Sequence, residues 1–186
     1  SLEGILGGGR HIRPGEVSLA HRGTLFLDEA AEFRKHILQA LREPLEDGSL
    51  TIARADGSRR LPAQFQLLLA VNPCPCGRLG LDDSSSCLCS SEDVRRYWKK
   101  LGGALIDRID LRVPLPRLSD AHWQGQGRGE DSATIAERVA QARSLQAGRA
   151  CLNAELNTAA LAEYCRLEGP VLKALQLASK KLNLSS

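Results

Sequence analysis

The chain has 186 residues, 42% of them apolar and 25% charged, with a formal net charge of +3. That length and balance fit one compact domain, or one with a small accessory domain, and so small a charge does not by itself identify a nucleic-acid partner. No run approaches the roughly 18 apolar residues of a membrane span and no basic-then-apolar signal segment opens the chain, so a cytoplasmic protein with no membrane partner is expected.

The first twenty residues are rich in glycine, with Gly7-Gly8-Gly9 followed by Arg13-Pro14-Gly15. A phosphate-gripping Walker A loop needs G-x-x-x-x-G-K-[ST], and no Gly-Lys pair occurs anywhere in the chain. The triplet therefore reads as a flexible connection, and Pro14 opens a short helix or turn over 16–20. Gly23 then launches Thr24-Leu25-Phe26-Leu27, a continuous apolar run of the kind found where a strand is covered on both faces. It runs straight into Asp28 and Glu29. At the carboxyl edge of a parallel sheet, where ligands sit, one carboxylate could hold a cation and the other polarise a water. The same residues also read as an acidic turn in which Asp28 caps the next helix.

Phe33, Ile37, Leu41 and Leu45 recur at four-residue steps, the apolar face of a helix. Pro44 should bend or restart that helix and Gly48 should end it. Residues 50–54 and 59–61 are extended runs around Asp56-Gly57, a strong hairpin signal. Arg54, Arg59 and Arg60 would crowd the tip, either as a nucleic-acid contact or as a solvated surface. Phe65 to Val71 is a second buried strand ending at Asn72, where Pro73 forbids helical geometry. If the two strands are parallel neighbours, the Asn72 amide shares an edge with Asp28 and Glu29. It could orient a water or a phosphate oxygen, or simply cap a turn.

Cys74-Pro75-Cys76 and Cys87-Leu88-Cys89 place four of the chain's six cysteines within sixteen residues. That is the ligand count of a closed tetrahedral zinc site, although the C-x-C spacing is less common than C-x-x-C; reduced cysteines in a turn are the alternative. Ser91, Glu92 and Asp93 look like a helix start. The basic run Arg95 to Lys100 carries Tyr97 and Trp98, either as a nucleic-acid surface or as a solvated helix burying its aromatics. Residues 105–113 alternate from Ile109 as a third strand would, with Arg108 just before it. The glycine-rich segment 119–131 reads as a linker. Three helical patterns follow, marked by Ile135 and Val139, by Leu156 and Leu161, and by Val171 and Leu175.

In this order, Arg13-Pro14-Gly15-Glu16, Thr24 to Glu29, Pro44-Leu45-Glu46-Asp47-Gly48, Asn72 to Gly77 and Asp107-Arg108-Ile109-Asp110 resemble the AAA+ ATPases. The resemblance is to their magnesium-chelatase-related branch, which contains bacterial competence proteins, and it covers nearly the whole chain. It implies an α/β fold. A partial P-loop NTPase core (a parallel sheet with flanking helices and a β-hairpin insertion) over 1–118, a linker over 119–131 and an all-α lid over 132–186 are expected.

It implies roles as well. Thr24 to Glu29 resembles the Walker B strand, in which Asp28 holds the Mg²⁺ of Mg·ATP through water and Glu29 activates the attacking water. Asn72 resembles sensor 1, which contacts the γ-phosphate. Arg108 resembles an arginine finger acting on the neighbouring subunit, and hence implies a ring, generally a hexamer. DNA is the partner the branch implies, with Arg54, Arg59 and Arg60 compatible with it. A chelatase-type motor for metal insertion into a tetrapyrrole and a zinc-stabilised interaction module are the alternatives. The chain starts and stops abruptly and contains no Met, as a fragment would. Without Walker A or the sensor 2 arginine, this polypeptide alone is expected to be inactive toward ATP.

Overall fold

A computed structural model describes residues 1–9, 11–54, 57–80, 87–115 and 129–182. The chain divides into two compact units, residues 1–117 and 118–186. Most of the expected linker at 119–131 lies outside the described residues.

Helix α1 (Leu2–Leu6) leads into a short antiparallel pairing of β1 (Gly7–Gly8) with β2 (Arg13–Pro14). The glycine triplet is therefore built into structure and is not the loose connection its composition implies. Gly7 has a φ of 95°, a region that side-chain-bearing residues rarely adopt. The backbone at Gly15 also passes so close to the end of α1 that a Cβ on it would stand 2.6 Å from the carbonyl carbon of Leu6. Helix α2 (Glu16–Leu19) follows and buries Val17 completely.

Strand β3 (Thr24–Leu27) ends at Asp28 and Glu29, and a 3₁₀ turn (Ala30–Glu32) leads to α3 (Lys35–Ala40) and α4 (Arg42–Asp47). The single helix expected over 33–45 is broken at Leu41, earlier than Pro44 itself. A proline ring inside a helix clashes with the carbonyl four residues back, here that of Ala40, so the α3 ladder stops there. Gly48 closes α4 in the left-handed conformation, φ 62°, donating its N–H to the Pro44 carbonyl at 3.0 Å.

The Asp-Gly hairpin forms between β4 (Ser49–Arg54) and β5 (Gly57–Pro62). Asp56 itself lies outside the described residues. Arg59 and Arg60 do not gather at the tip: they pair with Ile52 and Thr51, and as consecutive strand residues they face opposite sides. Arg60 reaches back to the hairpin base, donating from Nε to Ser49 Oγ at 2.8 Å. The Arg54 side chain lies outside what the structure describes.

Strand β6 (Gln66–Leu69) pairs in parallel with β3, Leu25 against Leu67 and Leu27 against Leu69. Three bonds lock the register at its start. Arg22 N–H donates to Gln64 O at 2.6 Å, Gln64 N–H to His21 Nδ1 at 3.1 Å, and Gln66 N–H to Gly23 O at 2.9 Å. Only one face of the pair is covered. Leu25 and Leu27 enter the core with Leu38, Leu41, Leu101 and Leu105, whereas Phe26 and Leu68 remain 59% and 46% exposed. The expectation of a strand buried on both faces thus holds for one face within this chain.

Helix α5 (Ser91–Leu101) begins with a capping box. Ser90, one residue earlier than expected, accepts from Asp93 N–H at 3.1 Å, and Asp93 accepts from Ser90 N–H at 3.1 Å. The Ser90 hydroxyl, donating to Asp93 Oδ2 at 2.7 Å, and the Ser90 N–H, with Arg96 nearby, hold the Asp93 carboxyl below its ordinary range. Gly102 ends α5, and α6 (Gly103–Ile106) buries Leu105. The third strand expected over 109–113 is absent. Those residues form no ladder, and Leu111 and Val113 are 82% and 73% exposed. An alternating pattern makes a strand only where a partner edge takes up its backbone groups, and among the described residues none does.

The second unit contains α7 (Ser132–Ala147), α8 (Thr158–Tyr164) and α9 (Gly169–Leu182); Leu156, expected to mark the second helix, lies before α8 in extended backbone. No helix among the described residues is long and apolar enough to cross a membrane.

The packing of Gly15 against α1 generates a stability prediction. Gly15→Ala must displace backbone, not a side-chain tip, so it should destabilise the first unit by at least the 1–3 kcal/mol or so of ordinary overpacking. Urea unfolding of wild type and variant measures this; an unchanged midpoint would contradict the packing described.

Candidate functional site

The parallel register decides what meets at the sheet edge. With Leu27 opposite Leu69, Asp28 lies level with Ala70 and Asn72 follows two residues later. Backbone bonds hold both exits, Ala70 N–H to Leu27 O at 3.0 Å and Ala30 N–H to Ala70 O at 3.0 Å. Glu29 adopts the left-handed conformation with φ 48°, rare for a residue with a side chain and common where function constrains the backbone. Asp28 turns its Oδ1 back onto the Glu29 N–H at 2.8 Å, so it caps the turn locally. A groove of about 640 Å³ passes both carboxylates and includes Arg34 and His36 in its lining.

Helix α5 supplies what the sequence reading did not assign. Tyr97 is 4% exposed and lies beside the Asn72 backbone, while the Trp98 indole donates from Nε1 to Pro73 O at 3.1 Å. The two rings meet edge to face at 6.5 Å between centroids. Burial, with the Glu32 carboxylate next in effect, raises the Tyr97 phenol above its ordinary value, and the charges of Cys74 and Glu29 act in the same direction. Lys100 and Glu32 approach to 3.5 Å across the surface, a pair too exposed to contribute much. Aromatic residues beside a proline-terminated strand were the available signal, but spacing cannot tell a clamp from a nucleic-acid surface.

In the turn after Asn72, Gly77 faces the Asn72 side chain with room for a Cβ, and it is its φ of 73° that favours glycine there. Beyond it the sulfurs of Cys74, Cys76, Cys87 and Cys89 lie within 4.8 Å of one another, and all four are free thiols. Cys74 is fully buried. Burial opposes its ionisation, but hydrogen bonds from Cys76, from the Leu79 and Arg78 backbone and from Cys87 outweigh that and bring it down to about 6. At Cys89 a backbone bond from Cys76 favours ionisation, yet its own thiol bond to Cys76, burial and the nearby Cys74 push it up to about 12. Cys87 is raised as well, against a backbone bond from Cys89, by burial and by its contacts with Cys76 and Cys74.

Arg108 is not brought to the carboxylates. Its guanidinium engages Glu46 Oε1 at 3.0 Å through Nε and at 2.7 Å through a terminal nitrogen. Arg42 shares the same carboxylate at 3.7 Å. The Pro44-to-Gly48 word thus carries the acceptor for Arg108, a pairing across 62 residues.

The parallel strand pair thus gathers two carboxylates and an amide at its exits, with an arginine held apart on the same α/β unit. The chain belongs to the magnesium chelatase family: the family profile described as "Magnesium chelatase, subunit ChlI" matches residues 1–123, and that of the "ChlI C-terminal" matches 129–186. It is 40% identical over its whole length to the competence protein ComM of Haemophilus influenzae, covering 36% of that protein. It is 41% identical to YifB of Escherichia coli, over 90% of this chain and 33% of YifB. A shorter stretch, 41% of this chain and 11% of the relative, is 34% identical to the maternal DNA replication licensing factor mcm3 of Xenopus laevis. The chain spans about a third of the length of the first two relatives.

The position of Tyr97 yields a pH prediction. An unfolded tyrosine ionises near about 10, whereas folded Tyr97 holds its proton to higher pH. The contribution of this group is complete below the unfolded value and is lost as pH rises through the folded one. Tyr97→Phe should therefore flatten the loss of stability above about pH 10 relative to wild type, read by urea unfolding at stepped pH. Parallel curves for the two proteins would count against it.

Proposed function

We propose that this chain is part of a ring-forming AAA+ ATPase, a DNA-dependent motor that moves strands or branched junctions during DNA uptake and recombination. The observation that carries the ATPase reading is the parallel β3–β6 pair, which puts Asp28, Glu29 and Asn72 at one edge. Phosphoryl transfer needs little covalent help from the protein; it needs positioning, an oriented water and charge neutralisation.

Glu29 is assigned to orient and deprotonate the attacking water, and Asn72 to hold that water or a γ-phosphate oxygen. Asp28 would hold, through water, the Mg²⁺ that neutralises phosphate charge; a carboxylate pair at an exposed strand exit fits a hard cation. Arg108 is assigned as the finger offered to a neighbouring subunit, in accord with its separation from the carboxylates of its own chain. The helices over 132–186 are assigned as the lid and hairpin β4–β5 as the insertion facing the ring channel. In this polypeptide alone, which contains no Walker A signature, no ATP turnover is expected.

The DNA part is supported by the names of the relatives, a competence protein and a DNA replication licensing factor. Arg59 and Arg60 are compatible with it but, facing opposite sides of the hairpin, do not form a patch. The family description favours a second reading, a chelatase-type motor for metal insertion into a tetrapyrrole.

One experiment separates them: ATP turnover by the full-length protein, with and without forked DNA. Stimulation by forked DNA is expected; turnover indifferent to DNA would move the reading to the chelatase class. Glu29→Gln should lower turnover by about 10²–10⁴-fold, the usual contribution of general acid–base catalysis, while nucleotide binding persists. Undiminished turnover in that variant would remove Glu29 from its assigned role.

A further inference from the structure

We propose that Cys74, Cys76, Cys87 and Cys89 hold one zinc ion in a closed structural site that fixes the turn leaving β6 behind Asn72. The inference does not rest on the ATPase reading; it needs only the four sulfurs and the turn they belong to.

Geometry carries it. Four thiolates at about 2.3 Å around one zinc ion sit about 3.8 Å apart along the edges of a tetrahedron. Cys74 and Cys87 are 3.8 Å apart, Cys76 and Cys87 3.7 Å, and Cys74 and Cys76 3.3 Å, and no pair exceeds 4.8 Å. Thiols are weak hydrogen-bonding groups, and their mutual contacts alone give little reason for two arms ten residues apart in sequence to converge so closely. An all-sulfur tetrahedral set selects zinc over hard cations. Four protein ligands leave no open position, so the site is structural, not catalytic.

The outer shell fits as well. Leu79 N–H donates to Cys74 Sγ at 3.4 Å, the kind of contact that orients a ligating sulfur. On the other side, the Trp98 indole holds Pro73 O at 3.1 Å. The turn 72–79 is thus held by α5 at one end and by the sulfur cluster at the other. Cys87 and Cys89 lie immediately before the α5 cap at Ser90, so one ion would tie the exit of β6 to the start of that helix.

The test uses the full-length protein, purified under reducing conditions without added metal. Metal analysis should give about one zinc per chain, absent from Cys76→Ser and Cys87→Ser and retained by the control Cys151→Ser. Because the cysteine variants can fail to fold, wild-type protein exchanged with cobalt gives an independent readout: tetrahedral thiolate coordination should appear as intense sulfur-to-cobalt charge transfer. Zinc removal by chelation should also increase hydrogen exchange over residues 72–79. No stoichiometric metal, iron in place of zinc, zinc that survives both substitutions, or a cobalt spectrum without thiolate bands would each overturn the site. Unchanged exchange over 72–79 would overturn its role in fixing the turn.

Discussion

The parallel pairing of β3 with β6 is the constraint from which the rest of the first unit follows. Side chains alternate along a strand, so slipping β6 by one residue would exchange Leu67 and Leu69 for Gln66 and Leu68 on the core face. It would also move Asn72 along the edge relative to Asp28. The register is set before the strands begin. His21 accepts from Gln64 N–H, and Arg22 donates its own N–H to Gln64 O. The His21 ring nitrogen, at the start of the strand pair, thus helps set which residues meet at its far edge. Arg22 has a φ of 63° at this crossing, a cost that the converging bonds hold in place.

Downstream of that edge the structure changes from strand register to clamping. β6 ends at Leu69, Pro73 beyond it offers no backbone donor, and the described residues between β6 and α5 form no helix or strand. Trp98 takes over by gripping the Pro73 carbonyl from the adjacent helix, with Tyr97 buried beside Asn72. Such a bond contributes on the order of 1 kcal/mol net. Its greater effect is directional, because it sets the path of the residues that carry Asn72. Helix α5 is anchored in turn by Leu101 and by the neighbouring Leu105 of α6, both nearly inaccessible to solvent.

Much of this was legible in the residues, for local reasons. Apolar runs ending in Asp28 and Asn72, Asp-Gly at the hairpin, acids after Ser90 and Gly48 after Asp47 each encode an element through its own chemistry. What failed was what depends on a partner. The alternation at Ile109 to Val113 carries a strand signal with no edge to satisfy it, and the coverage of Phe26 depends on what packs against that face. The arginines of the hairpin are neighbours in sequence and opposites in space, because period-two geometry separates Arg59 from Arg60. The Trp98 clamp was hidden for a similar reason: aromatic spacing on a helix reports a face, not the backbone atom it will bond. The glycine triplet misled because a composition suited to flexibility is also suited to close backbone packing, and at Gly7 and Gly15 the packing prevails.

The pairing of Arg108 with Glu46 bears on how a subunit boundary could use this arginine. An arginine offered in trans must be held extended yet be released cheaply. The pair meets both demands: the guanidinium makes two contacts to a single oxygen, Glu46 Oε1, and its side chain is still 44% exposed. An ion pair at such exposure is worth about 0–1 kcal/mol, far less than the interaction of an arginine with the charge that develops on a transferring phosphoryl group in a site closed to water. Arg42 sits on the same carboxylate, so departure of Arg108 would leave Glu46 neutralised and no unpaired anion behind. On the proposed reading, the Pro44-to-Gly48 segment therefore acts as a rest for the finger, holding it in a defined direction until a neighbouring site supplies the stronger anion.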